Sequence, residues 1–239
     1  MKVVILAGGL GTRISEETDS KPKPMVLIDE NPIIWHVMKI YADQGFKDFV
    51  VAAGYKGEMI EEYFAELNSP WNVTVVQTGI NTQTGARIKA VLSSIDNQLF
   101  LATYGDGLGS INIQELISFH LSHKGLATVT AVRPPARFGV LEAQNGLVTN
   151  FGEKRQSDAG WINGGFFVFD KSIFAGEGIS EDISLESIIL PQLVAKRELH
   201  AYFHHGFWQP MDTLRERNEL SLLAKKIPAP WMSHDGDHR

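Results

Sequence analysis

Two kinds of residue stand in this sequence where phosphate chemistry needs them. Arg13 closes the run Gly8-Gly9-Leu10-Gly11-Thr12-Arg13, and Lys21 and Lys23 follow in Lys21-Pro22-Lys23-Pro24. Glycines let backbone N–H groups come close to phosphate oxygens. Arginine adds a planar fork and lysine a compact point charge, a combination that suits a triphosphate. In an isolated Lys-Pro-Lys-Pro the lysines read as solvated loop charges. Directly after a buried strand and the glycine run, phosphate binding is the better reading. Two familiar motifs fail. A P-loop needs Gly-Lys-Ser/Thr after four intervening residues, which is missing here, and a dinucleotide fingerprint needs a glycine where Ile14 stands and an acid where Gly54-Tyr55 stand.

The carboxylates come next. Asp106 lies between Gly105 and Gly107 at the end of an apolar run, and Asp212 follows Trp208-Gln209-Pro210-Met211. Two acids at element ends suit one Mg²⁺ shared with phosphate oxygens. Turn chemistry explains Asp106 equally well, and a helix N-cap is the plainer reading of Asp212. A second polar loop, from Thr78-Gly79 to Thr84-Gly85-Ala86-Arg87, also ends a strand and enters a helix. His204-His205 read as neighbours on a strand, pointing to opposite faces and unable to share an ion. All eight histidines stay unassigned.

These residues need a frame. Apolar β-branched runs alternate with helical patterns, which predicts an α/β fold with a mainly parallel, mixed sheet. Strands are expected at 3–7, 49–53, 73–76, 99–103 and 127–132, with shorter, partly antiparallel ones at 138–142, 147–151 and 165–169. Helices are expected from Asn31-Pro32, as cap and first position, through Tyr41 to a stop at Gly45, then at 58–67, 86–94, 113–123, 185–195 and 213–226. No linker divides the chain, so one domain spans 1–230, with a small appended C-terminal part and a polar tail at 231–239 that frays beyond Ser233.

Composition bounds the rest. The 239 residues carry 22 Lys plus Arg against 28 Asp plus Glu, a net charge of −6, and no Cys. An acidic chain argues against a general nucleic-acid binder. The missing Cys excludes a disulfide framework, a Cys-ligated zinc and a thiol nucleophile. No run nears the ~20 apolar residues of a membrane helix, and the short N-terminal apolar stretch reads as a strand. The cytoplasm is the expected compartment, with neither membrane nor nucleic acid as partner.

The segment Leu6-Ala7-Gly8-Gly9-Leu10-Gly11-Thr12-Arg13 with Lys21-Pro22-Lys23-Pro24-Met25-Val26 resembles the signature of the sugar-phosphate nucleotidyltransferases. Further segments, among them Gly54-Tyr55-Lys56-Gly57, Thr103-Tyr104-Gly105-Asp106-Gly107, Phe138-Gly139, Ile162-Asn163-Gly164-Gly165 and Gly206-Phe207-Trp208-Gln209-Pro210-Met211-Asp212-Thr213, are similar to the glucose-1-phosphate cytidylyltransferases. That resemblance implies a Rossmann-like three-layer fold with helices on both faces. It also implies a nucleotide half at about 1–133, a sugar-phosphate half at about 134–230, and Mg²⁺-dependent transfer from CTP to glucose 1-phosphate in a homo-oligomer.

By the same resemblance Arg13 and Lys23 are catalytic and Asp106 and Asp212 hold Mg²⁺. Leu6, Ala7, Gly8, Gly9, Gly11, Thr12, Thr82, Arg87 and Asp106 would join Arg13 and Lys23 around the nucleotide. Glu153, Lys154, Asn163, Gly164 and Gly165 would face the sugar phosphate, although Glu153-Lys154-Arg155 reads equally as a solvated cluster. There are two departures. Arg155 replaces the proline of the family's Glu-Lys-Pro, and Asn68-Ser69 is all that stands where those enzymes carry a longer polar insert. Uridylyl or thymidylyl transfer, or a non-catalytic nucleotide-sensing subunit, are the rival readings.

Overall fold

Val3–Ala7 forms β1, and all five residues are buried. Its side chains alternate between two cores. Val3, Ile5 and Ala7 face one, while Val4 and Leu6 face the other. A strand apolar on every residue belongs inside a sheet covered on both sides.

The computed structural model describes the chain except at residues 68–69, 136–138, 145–146, 154–159, 176–179, 181 and 233–239. The Asn68-Ser69 connection, Phe138, Lys154, Arg155 and the tail expected to fray from residue 233 therefore lie outside the described residues. So does the side chain of Glu153.

After β1 the chain makes α1 (Ser15–Thr18), a small hairpin of β2 (Leu27–Ile28) and β3 (Asn31–Pro32), and α2 (Ile33–Ala42). Next come β4 (Asp48–Ala53), α3 (Gly57–Glu66), β5 (Asn72–Gln77) and α4 (Thr84–Ala90). Then follow β6 (Leu99–Tyr104), β7 (Gly107–Gly109), α5 (Ile113–Leu121), β8 (Ala127–Val132), β9 (Gly139–Gln144) and β10 (Leu147–Glu153). The last elements are β11 (Ile162–Asp170), α6 (Leu190–Ala195), β12 (Leu199–Phe203), β13 (Trp208–Pro210) and α7 (Leu214–Ala224).

Seven strands form the main sheet in the order β12-β8-β11-β6-β1-β4-β5. All neighbours are parallel except β11, which runs antiparallel to β6 and β8. The mixed, mainly parallel sheet expected from the sequence is thus present. One core joins it to α2, α5 and α7, and the other to α4 and the π-helical turn Leu185–Ile189 that runs into α6. Burying each Val, Ile or Leu in these cores contributes about 1.5–3 kcal/mol.

Three expectations need correction. Asn31 and Pro32 do not open α2. They pair with Ile28 and Leu27 as β3, and extended Pro32 is the residue before the helix. Trp231 is wholly buried against His36 and Phe207, so the polar tail does not begin at 231. His204 and His205 lie beyond the end of β12. His204 is buried beside Ser110 and the Phe207 carbonyl, and His205 is exposed near Trp161.

Candidate active site

The glycine run turns the chain at the carboxyl end of β1. Gly11 has φ +66°, and a Cβ there would sit 2.8 Å from the Thr18 side chain and 3.0 Å from that of Lys23. A side chain is therefore excluded both by conformation and by space. The Gly11 carbonyl accepts from Ile14 N at 3.0 Å and from the Thr18 hydroxyl at 3.1 Å. These bonds fold the loop so that Lys23 passes directly over it.

Lys23 opens a one-turn helix, Lys23–Met25, held by Met25 N to Pro22 O at 2.8 Å and Val26 N to Lys23 O at 3.1 Å. Its ammonium donates to Asp106 Oδ2 at 2.7 Å and to Asp212 Oδ1 at 2.9 Å. Only 12% of the Lys23 side chain is exposed. Burial works to lower its pKa, but the charges and hydrogen bonds of Asp106 and Asp212 outweigh that and raise it above the usual lysine value. Arg13, by contrast, is 77% exposed and touches Asp212 Oδ2 at 3.3 Å.

The two acids meet because of a short ribbon. β7 and β13 pair antiparallel, with Gly107 opposite Pro210 and Gly109 opposite Trp208. Met211 N donates to the Asp106 carbonyl at 2.9 Å, which sets Asp212 beside Asp106. Asp212 is not the cap of α7. Thr213 takes that position, its hydroxyl accepting from Glu216 N at 3.2 Å. That leaves the Asp212 carboxylate to face Lys23 and Arg13.

A recess of about 260 Å³ is lined by Leu6, Ala7, Gly9, Gly11, Thr12 and Arg13, with Lys23, Asp106 and Asp212 at its side. It adjoins a cleft of about 820 Å³ that adds Gly8, Thr82, Arg87 and Gly164. The predicted nucleotide-side residues are thus together. Arg87 has further work here, since its buried guanidinium donates to the carbonyls of Ala53, Gly8, Gly79 and Ile80 and to the Thr78 hydroxyl. It ties the ends of β1, β4 and β5 into one rim. Burial pulls its pKa below the usual arginine value. Thr82 turns inward, its hydroxyl donating to the Thr78 carbonyl.

On the other side of the cleft, Trp208 Nε1 donates to the carbonyl of the lining residue Gly164 at 2.8 Å, and Asn163, next to it but not itself among the lining residues, donates to the Tyr104 hydroxyl at 3.1 Å. Gly165, at φ +80°, lies so close to the Tyr104 ring that a Cβ would meet it at 2.4 Å. Tyr104, Trp208, Thr84 and Glu186 line the cleft without having been given a role from sequence. Tyr104 stands two residues before Asp106 and was open to notice. Glu186 was not, because an acid in a first helical turn reads as complementing the helix dipole.

Chemically, the site offers glycine N–H groups, two cations and two convergent carboxylates at the end of a central strand. That is equipment for handling a polyphosphate.

The chain is 47% identical to the glucose-1-phosphate cytidylyltransferase of Salmonella typhi, the match covering 97% of this chain and 98% of that one. It is 38% identical to a probable glucose-1-phosphate cytidylyltransferase of Bacillus subtilis strain 168, over 97% of this chain and 99% of that one. Among solved structures, HddC from Yersinia pseudotuberculosis superposes with a TM-score of 0.75 at 24% identity, over 94% of this chain and 99% of that one. A putative glucose-1-phosphate thymidylyltransferase from Bacillus anthracis gives 0.73 at 19%, over 95% and 96%. These two likenesses establish the fold alone. The family profile described as Nucleotidyl transferase matches residues 2–214, and with the full-length relatives this makes the chain a member of the nucleotidyl transferase family.

Proposed function

We propose that the protein transfers a cytidylyl group from CTP to glucose 1-phosphate, giving CDP-glucose and pyrophosphate. The observation that carries the chemistry is the Lys23 ammonium held between Asp106 and Asp212 beside the glycine loop. The choice of base and sugar rests on the 47% identity to the Salmonella typhi enzyme. An oxygen of the sugar phosphate bonds to the α-phosphorus of CTP as the bond to the bridging oxygen breaks, and the electron pair leaves with pyrophosphate. The attacking phosphate is already anionic at pH 7, so positioning and charge neutralisation matter more than a general base.

Residues 1–133 serve the nucleotide and 134–230 the sugar phosphate. Leu6, Ala7, Gly8, Gly9, Gly11 and Thr12 form the nucleotide cradle, with Thr82 and Arg87 at its rim. Arg13 neutralises the departing pyrophosphate. Lys23 exchanges its carboxylate partners for oxygens of the α-phosphate and the sugar phosphate. Glu153, Lys154, Asn163, Gly164 and Gly165 receive the sugar phosphate.

Asp106 and Asp212 fit Mg²⁺. They supply hard oxygen donors aimed at one cationic centre. Among the described residues there is no group of three or more acidic or imidazole side chains suited to a metal, and an ion held by these two acids would take its other ligands from phosphate oxygens and water. When bound, the ion neutralises charge on the α-phosphate and on pyrophosphate. The working form is a homo-oligomer of a cytoplasmic enzyme, and no helix among the described residues is long and apolar enough to cross a membrane. Pyrophosphate release from CTP and glucose 1-phosphate tests the reading directly.

A further inference from the structure

A chain of hydrogen bonds runs along the cleft wall through Glu186, which none of the roles above uses. Glu186 Oε1 accepts from the Tyr104 hydroxyl at 2.6 Å. Its Oε2 accepts from the hydroxyls of Thr84 at 2.6 Å and Ser184 at 3.0 Å. The Tyr104 oxygen in turn accepts from Asn163 Nδ2 at 3.1 Å. Four distant segments are joined: the start of α4, the turn before α6, the end of β6, and β11.

The direction of each bond is fixed. Gly165 N can only donate, and it donates to Asn163 Oδ1 at 2.8 Å. The Asn163 amide therefore turns its NH₂ toward Tyr104. With that oxygen acting as acceptor, the phenolic proton points to Glu186. The carboxylate, which only accepts, is the terminus that orients the chain. Burial acts to raise its pKa, but bonds from Thr84, Tyr104 and Ser184 outweigh that and hold it below the usual value, so it stays anionic at neutral pH. The Tyr104 ring is held independently, packed close against Gly165 and edge-on to Phe167 at 5.8 Å.

One N–H and one oxygen lone pair of Asn163 remain unspent by these bonds. A donor and an acceptor a few ångströms apart on a planar amide match a sugar hydroxyl or a neighbouring pair of them. We propose that Glu186 is a positioning residue that acts through Tyr104 to fix the Asn163 amide for the sugar's hydroxyl groups. The inference rests on the cytidylyl-transfer reading and adds a specificity device to it. Glu186 acts on the acceptor sugar, although another of its partners, Thr84, belongs to the nucleotide side.

The test uses the full chain and three variants: Tyr104→Phe, Glu186→Gln and the double. Tyr104→Phe removes only the relaying hydroxyl and keeps the ring on Gly165, so it carries the test even if Glu186→Gln folds poorly. KM values for glucose 1-phosphate and CTP are measured separately, together with kcat/KM for galactose 1-phosphate. Each single variant should raise KM for glucose 1-phosphate about tenfold, as expected for a lost charge-assisted bond. KM for CTP should change less than twofold, and the preference for glucose over galactose 1-phosphate should narrow. The double variant should be no worse than the poorer single, because both break one chain. A rise in KM for CTP matching that for the sugar overturns the relay, as does full multiplication of the two effects. A wild-type chain that releases no pyrophosphate from CTP and glucose 1-phosphate fails the underlying reading as well, which separates the two failures.

Discussion

The Lys23 ammonium lies 2.7 Å from Asp106, a residue 83 positions further along the chain, and Asp212 shares the same nitrogen at 2.9 Å. One cation thus balances two acids that β7 and β13 bring together. Lys21, two residues earlier, has no hydrogen bond or ion pair among the described residues.

That contrast separates two lysines of one loop. An interaction that strengthens in the transition state lowers kcat when lost, whereas a peripheral charge mainly affects binding. Lys23→Ala should therefore cost on the order of 10²-fold or more in kcat. Lys21→Ala should cost no more than about tenfold, mostly in KM. Steady-state kinetics at saturating Mg²⁺ decide it. A crippled Lys21 variant, or two equally mild ones, removes the catalytic role from Lys23.

The same bridge bears on metal binding. A lysine that already neutralises both carboxylates competes with a divalent ion for them. In titration calorimetry without nucleotide, Mn²⁺ should bind Lys23→Met at least about tenfold more tightly than wild type, since removing a buried counter-charge leaves the acids uncompensated. Unchanged affinity would argue that Asp106 and Asp212 are not the metal's ligands.

The glycine loop was legible in the sequence because everything it needs is local: a buried strand, glycines, then cations within a few residues. The convergence of Asp106 and Asp212 was expected from their places at element ends and from the family resemblance, but the elements that bring it about were not legible. It depends on β7 and β13, three residues each, too short for any alternation to announce them. β12 escaped for a related reason, since Leu199–Phe203 is half-buried at an edge and mixes polar with apolar residues. Asn31-Pro32 imitated a helix start, but pairing with Leu27 and Ile28 decided its conformation. Glu186 gave no signal at all, because the partners that give it a role, Thr84 and Tyr104, come from two distant segments.

Acid should weaken the fold before it reaches the carboxylates. His36, His120 and His123 each have a pKa below the usual 6.5, burial being the first cause. His120 and His123 share the Thr128 hydroxyl at 2.9 and 2.8 Å, and His123 stacks on His200 at 3.8 Å. Above about pH 6.5 these groups are neutral in both folded and unfolded chains and do not affect stability. Below it the unfolded chain takes up protons that the folded chain resists, so stability falls. Thermal melts should show Tm dropping from pH 7 to pH 5.5, and less steeply in His123→Gln. A flat or rising Tm over that range would refute this.

The most direct test of the account is pyrophosphate release with glucose 1-phosphate as acceptor, measured for CTP, UTP and dTTP in turn. CTP should give the highest kcat/KM of the three, as the likeness to cytidylyltransferases along the whole chain leads one to expect. Equal or better turnover with UTP or dTTP would contradict cytidylyl transfer and leave only the nucleotidyl transferase family.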